Sequence, residues 1–216
     1  MAEQKITGQK IARQLTDEKL VLASHNKGKL REIRDLLKPF ALEVISAGDL
    51  NLPEPDETED TYVGNAILKA KAAAMASGFP ALSDDSGFEL MAINKAPGLY
   101  SARWAGPDKD FGMAMQKVYD GFVASGSDNR DCRFVCALSI VWPDGHDETV
   151  EGIIDGQFVW PPRGHHGFGY DPVFQLNGMD KTFGEVDPAW KHSVSHRAKA
   201  FEQLLDRCFR DTAKVN

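Results

Sequence analysis

The chain has 216 residues, 42% hydrophobic and 26% charged, a length and balance suited to one domain or two closely joined lobes with a real buried core. With 25 lysines and arginines against 32 aspartates and glutamates, the formal charge is −7 at pH 7, which argues against broad attraction to nucleic acid or an anionic membrane. No apolar run approaches the ~20 residues of a bilayer span, and the polar opening Met1 to Lys19 lacks a signal-peptide core, so a cytoplasmic location is expected.

Residues 1–18 read as an N-terminal tail, solvated or loosely helical, without identifiable chemistry. The apolar run Leu20 to Ala23 predicts a buried strand that breaks at Ser24, His25, Asn26, Lys27 and Gly28. Leu30, Ile33, Leu36, Leu37 and Phe40 then recur at helical spacing up to Pro39, and Leu42 to Ser46 suggests a second strand. The acidic stretch from Ala47 to Asp60, interrupted by Pro53 and Pro55, reads as a loop. An alanine-rich helix over Thr61 to Ser77 follows, with Gly78 and Pro80 marking its exit. Strands over Pro80–Ser83 and Phe88–Ile93 are expected to flank a turn at Asp84-Asp85-Ser86-Gly87.

Farther on, Asp108 is a candidate cap for a helix running to about Val123. Phe134 to Trp142 and Glu148 to Ile154 predict a hairpin through Pro143, Asp144 and Gly145. Cys132 and Cys136 share strand parity, so they point to one face too far apart to bond, and with Cys208 they read as small buried hydrophobes. Arg163 to Tyr170 is glycine-rich, Val173 to Leu176 suggests a last strand, and Ser195 can cap a C-terminal helix. The interleaving predicts an α/β fold, a mixed sheet covered by helices.

Four constellations carry possible chemistry. Ser24-His25-Asn26-Lys27-Gly28-Lys29 lies where a strand meets a helix N-terminus, a place whose amides and dipole favour an anion, although an ordinary capped turn uses the same residues. It lacks Walker A spacing. Asp84 and Asp85, with Glu57 from the acidic loop, offer hard oxygens for Mg2+ and one carboxylate to activate water, beside Ser86 and the Gly87 amide. In Gly164 to Pro172, Phe168 or Tyr170 suits stacking on a planar base, Asp171 accepts a hydrogen bond, and Gly169 permits close approach; core aromatics on a tight loop are the plainer alternative. Lys191, His192, His196 and Arg197 crowd a helix start, where positive charge is disfavoured and an anionic ligand would compensate. The His192/His196 pair lacks the HExxH context of a zinc site.

Together, Ser24–Lys29, Asn65–Ala70, Ser83–Gly87, Ala96–Arg103, Gly167–Pro172 and Ser195–Arg197 resemble the inosine/xanthosine triphosphate pyrophosphatase family, in matching order over nearly everything after residue 19. The resemblance implies a single two-lobed domain over residues 19–212, with the nucleotide in a groove between the lobes and a homodimeric assembly. It also implies cleavage between the α and β phosphates of inosine and xanthosine triphosphates and deoxyinosine triphosphate, giving a monophosphate and pyrophosphate. By the family pattern Asp85 is proton acceptor and Mg2+ ligand, Glu57 a second ligand, and Ser86 a substrate contact. Asn26, Lys29 and Lys191 hold phosphates, while Phe168, Gly169, Tyr170 and Asp171, with His196 and Arg197, form a base pocket reading the purine 6-oxygen. Gly64 departs from the pattern, standing where many relatives carry a glutamate.

Two other readings compete. A nucleotide sensor that binds without hydrolysing shares every binding motif but needs no carboxylate set beside the phosphates. A Nudix-type hydrolase needs an REx2EE box, and here Arg31-Glu32 is followed by Ile33, Arg34 and Asp35.

Overall fold

The structure, a computed structural model, describes residues 12–214. Six strands form one mixed sheet in the order β2-β1-β3-β4-β5-β6. They are β1 (Lys19–Leu22), β2 (Glu43–Ser46), β3 (Ala81–Leu90), β4 (Asp131–Val141), β5 (Asp147–Phe158) and β6 (Phe174–Leu176). β1 pairs in parallel with β2 and β3, and the remaining pairings are antiparallel. Among the described residues six α-helices accompany it: α1 (Lys27–Leu37), α2 (Tyr62–Ser77), α3 (Ser101–Trp104), α4 (Phe111–Ser125), α5 (Pro188–Val194) and α6 (His196–Cys208).

Strand alternation sorts the helices. Leu20 and Leu22 of β1 face α1 and α6 through Ile33, Leu37, Phe201 and Leu204, whereas Val21 and Ala81 face Ala70, Ala73 and Ala74 of α2. At the other end of the sheet Phe88, Leu90, Phe134 and Phe158 pack on α4 through Ala114, Val118 and Phe122. One face of β3 therefore reads Leu82, Asp84, Ser86, Phe88: apolar in the first core, polar in the middle, apolar in the second core. Two cores cannot merge across a polar pair, and the cavity opens there.

Several expected boundaries move. Asp84-Asp85-Ser86-Gly87 is not a turn: β3 runs unbroken because β4 pairs with it residue for residue, Ser86 opposite Cys136. The two carboxylates thus lie on opposite faces of the sheet. α4 is capped by Asp110, which accepts from the Met113 amide, rather than by Asp108. α1 stops at Leu37, and Phe40 instead bridges to Lys214. Part of the expected tail is docked: Leu15 is fully buried, its amide bonded to the Cys208 carbonyl, and Arg13 pairs with Asp144. The rest of that tail, residues 1–11, lies outside the described residues. The hairpin, the buried unpaired cysteines, the Ser195 cap and the left-handed exit at Gly78 are as expected, and Thr61, expected as the first helical residue, caps α2 instead.

Candidate active site

A cavity of about 520 Å3 lies between the two cores. β1 ends at its floor, and the chain turns through Ser24 and His25 into α1, capped by Asn26, whose side chain accepts from the Gly28 and Lys29 amides at 2.9 and 3.2 Å. Those two donors are satisfied by the protein itself, so this helix end presents less free anion-binding capacity than its sequence suggests. Lys29 turns inward from the first turn and reaches Asp84 at 2.7 Å.

Asp84 is fully buried, and its two oxygens take Lys29, the Arg197 Nε at 2.6 Å, Ser86 Oγ at 2.7 Å and the Cys136 thiol at 3.2 Å. Burial alone would raise its pKa, but Arg197 and Lys29 outweigh that and hold it well below the usual carboxylate range. Asp84 is a permanent anion with its lone pairs engaged, a poor base.

Asp85 has the opposite character. On the other face of β3 it meets Lys69 from α2, at 2.7 Å, and the same ammonium lies 2.7 Å from Glu57 on the acidic loop. Burial pushes Asp85 up to about 6, a rise that Lys69 and Lys29 reduce without cancelling. Burial opposes ionisation of Glu57 too, yet Lys69 prevails and lowers it. Lys69, which burial alone would depress, is raised by the two carboxylates. Adjacent carboxylates on one strand are thus driven apart in acidity by their surroundings.

Beside the start of α1 the Phe168 ring lies over the edge of Gly28, where an added β-carbon would approach it to 3.0 Å. Lys191 from α5 sits under that ring, 4.8 Å from its centroid, and bonds the buried Asp171. Burial raises the Asp171 pKa against the pull of Lys191. His196 stacks on Phe134 at 4.8 Å, and its buried Nδ1 has no partner among the described residues. Burial, then Arg197 and Lys191, push the imidazole well below its ordinary pKa, so the ring is neutral. A neutral ring with an unsatisfied nitrogen on a cavity wall is suited to a hydrogen bond from a ligand. Glu32 of α1 ties the two ends together by pairing with Arg197 and with Lys191 at 3.3 Å.

The Ham1 family model matches residues 20–207 of this chain. The chain belongs to the Ham1 family. It is 58% identical over 198 residues to the dITP/XTP pyrophosphatase of Rhodospirillum centenum, covering 91% of this chain and 98% of that protein. It is 51% identical to the dITP/XTP pyrophosphatase of Zymomonas mobilis over 92% of this chain and 95% of the other. Among solved structures it resembles a HAM1 protein from Coxiella burnetii at TM-score 0.81 and 37% identity, covering 87% of this chain and 96% of that one. The Staphylococcus aureus Ham1 protein gives TM-score 0.77 at 33% identity, with 87% and 96% covered.

Within this frame the motif residues separate. Ser24, His25, Asn26, Lys29, Glu57, Ser86, Phe168, Gly169, Asp171, Lys191, His196 and Arg197 all line the cavity, with Asp85 just behind Lys69 and Glu57. Lys27 is exposed and does not line it. Tyr170 also touches the cavity, but its ring stacks on Phe88 at 5.1 Å and its hydroxyl bonds the Ser101 carbonyl, which makes it chiefly a core aromatic. Lys191, expected to hold a phosphate at a helix start, lies inside α5, lines the cavity and is bonded to Asp171 with its ammonium against the Phe168 ring. The positive charge of Lys191 and Arg197 is compensated by Glu32, Asp84 and Asp171, so no bound anion is needed to explain it. The Arg197 guanidinium is committed to these carboxylates and to Ser86.

Sequence reasoning passed over Lys69 and Glu32. Both carried a signal: Lys69 interrupts the buried stripe Ala66, Ala70, Ala73 of α2, and Glu32 sits beside Ile33 on the inward side of α1. An ionisable residue within an apolar helix stripe needs a buried partner. At Gly64 a β-carbon would meet the Glu59 Cβ at 2.7 Å, so the glutamate of many relatives would have to displace that side chain.

Proposed function

We propose that this protein hydrolyses deoxyinosine, inosine and xanthosine triphosphates to the nucleoside monophosphate and pyrophosphate, clearing non-standard purines from the nucleotide pool. The observation that carries the reading is the divergence of Asp84 and Asp85: one carboxylate locked as an anion, its neighbour raised to about 6 beside a substrate-sized cavity. A pure binding protein needs no such poised base. The dITP/XTP pyrophosphatase activity by which the Rhodospirillum centenum and Zymomonas mobilis relatives are named agrees with it.

In this reading Phe168 stacks on the purine and the His196 ring bonds its edge. Ser86 and Lys29 orient the α phosphate, and Asp85 accepts the proton of the attacking water. Lys69 holds Asp85 and Glu57 in register through its two 2.7 Å contacts. Two hard carboxylates, Glu57 on the cavity wall and Asp85 just behind it, fit a divalent cation of the Mg2+ type, which is typically held by one or two carboxylates plus substrate phosphates; Glu57 and Asp85 would hold it. When bound, the cation supplies charge stabilisation to the phosphoryl oxygens. Among the described residues no helix is long and apolar enough to cross a membrane. A cytoplasmic homodimer completes the proposal, and light scattering of the purified protein tests the assembly.

The deciding experiment is turnover of deoxyinosine triphosphate in oxygen-18 water. Attack at the α phosphorus puts the heavy oxygen in the monophosphate and releases pyrophosphate. Label in pyrophosphate, or release of single phosphate, would refute the reaction, and binding without turnover would favour a nucleotide sensor.

A further inference from the structure

One wall of the cavity is built from a segment with no backbone ladder of its own. Residues 53–60 form neither helix nor strand, and among the described residues none of their backbone groups bonds to another backbone group. Yet Glu54, Pro55, Asp56 and Glu57 all line the cavity. Such a stretch keeps one conformation only when side chains from elsewhere take up its backbone groups and offset the entropy of ordering it.

Three such bonds hold it among the described residues. Arg103, half-exposed, donates to the Glu57 carbonyl at 3.1 Å. The other two come from a single side chain, Asn65 in the first turn of α2: its Oδ1 accepts the Glu59 amide at 3.0 Å and its Nδ2 donates to the Glu59 carbonyl at 3.2 Å. A carboxamide has the donor and acceptor of a peptide group, so it can pair with both backbone groups of one residue as a neighbouring strand would. Asn65 is 2% exposed and does not line the cavity. The same helix grips the segment a second time. Lys69, four residues on and so on the same face of α2, bonds Glu57 Oε1 and Asp85, each at 2.7 Å. Two residues of extended chain span at most about 7 Å and four residues of helix about 6 Å, so fixing Glu59 on Asn65 brings Glu57 level with Lys69. Asp85 is placed by its strand, which β4 pairs along its whole length, whereas Glu57 has only the loop.

We propose that Asn65 is a positioning residue: by clamping the backbone at Glu59 it sets Glu57 beside Asp85, where the two carboxylates can share one divalent cation. The inference rests on the metal role given to Glu57 in the proposed function. Without the clamp the segment is joined to the fold only by Arg103 and by the side-chain pairs of Glu54 with His25 and Glu57 with Lys69. Glu57 then samples positions away from Asp85, and a cation that needs both carboxylates is held less tightly.

The test titrates the full-length protein with Mn2+, a hard ion that takes oxygen ligands as Mg2+ does, without nucleotide and followed by electron paramagnetic resonance. The magnesium dependence of deoxyinosine triphosphate turnover is measured alongside. Asn65→Ala should weaken Mn2+ about ten-fold and raise the half-saturating magnesium concentration by a similar factor, while kcat at saturating magnesium returns to within about three-fold of wild type. Asn65→Leu keeps a branched side chain of similar size without the hydrogen bonds, and should show the same loss. Ala73→Gly, which weakens α2 on its face toward Val21 and Ala81, is the stability control: Tm falls and Mn2+ binding stays within about two-fold. If both Asn65 variants bind Mn2+ within about two-fold of wild type, or if Ala73→Gly weakens it equally, the assignment is overturned. A wild type that binds no Mn2+ and turns over without magnesium would refute the metal role of Glu57 itself, and this inference with it.

Discussion

Arg197→Met tests whether the buried network is an interdependent unit. The Arg197 guanidinium is 1% exposed and bonds Asp84, Glu32 and Ser86. Methionine fills much of the same volume but removes the charge. Asp84 would keep Lys29, Ser86 and Cys136, and Glu32 would keep Lys191 and His192, so neither carboxylate is stranded outright. That places the loss toward the lower part of the ~3–5 kcal/mol typical of breaking a buried pair. For a chain of this size each kcal/mol moves Tm by roughly 2–4 °C, so a loss of about 3–4 kcal/mol gives a fall of about 6–16 °C, against at most about 4 °C for a surface pair. The loss should also depend on pH. Burial would raise both carboxyls, but Arg197 is the largest opposing influence, and both end up below the ordinary carboxylate values of 3.8 and 4.5. Carboxylates with lowered folded-state pKa values stabilise above their unfolded values, and that contribution disappears as pH falls through the folded values. The Tm gap between wild type and variant should therefore be widest near neutrality and narrow on acidification below about pH 4.5. Thermal unfolding followed by circular dichroism across this range measures it. A drop under about 3 °C, or a gap indifferent to pH, would refute the argument.

Asp85→Asn should lower kcat by at least about a hundred-fold while leaving Tm near the wild-type value, because an amide cannot accept the proton; near-normal turnover would sink the assignment. In the metal-free protein Asp85, raised to about 6, should titrate near that pH when followed by carboxyl NMR; a value below about 4.5 would mean an ordinary carboxylate. Chelation of divalent cations should stop turnover, with calcium restoring it poorly because its looser geometry suits the two-carboxylate site less well; full activity in excess chelator would remove the metal from the mechanism. Gly152→Ala should destabilise by about 1–3 kcal/mol or more, since a β-carbon there would overlap the His196 carbonyl and the Ala200 amide and force α6 off β5; chemical denaturation giving an unchanged midpoint would contradict that packing.

The sequence by itself determined much of the molecule. Apolar periodicity located α1, α2, α6 and the β4/β5 hairpin, and Gly78 and Ser195 marked helix ends through local backbone chemistry. The ordered motifs identified the family and the residues that line the cavity, because each supplies a distinct chemical group at a strand or helix end. Pairing decided what local rules left open. Asp84-Asp85-Ser86-Gly87 has turn composition, yet ten consecutive partners in β4 hold it straight and put the two aspartates on opposite faces. That separation gives one carboxylate to Arg197 and Lys29 and the other to Lys69, and so sets which is held ionised and which is raised to about 6. The partners come from α1, α2 and α6, up to 113 residues away, and no spacing within a single segment encodes them. Lys191 shows the same limit: composition placed it among cations awaiting an anion, whereas tertiary packing had already supplied Asp171 and Glu32. Charge is written in the chain, but its compensation depends on which elements meet in the folded core, where low dielectric makes each pairing decisive.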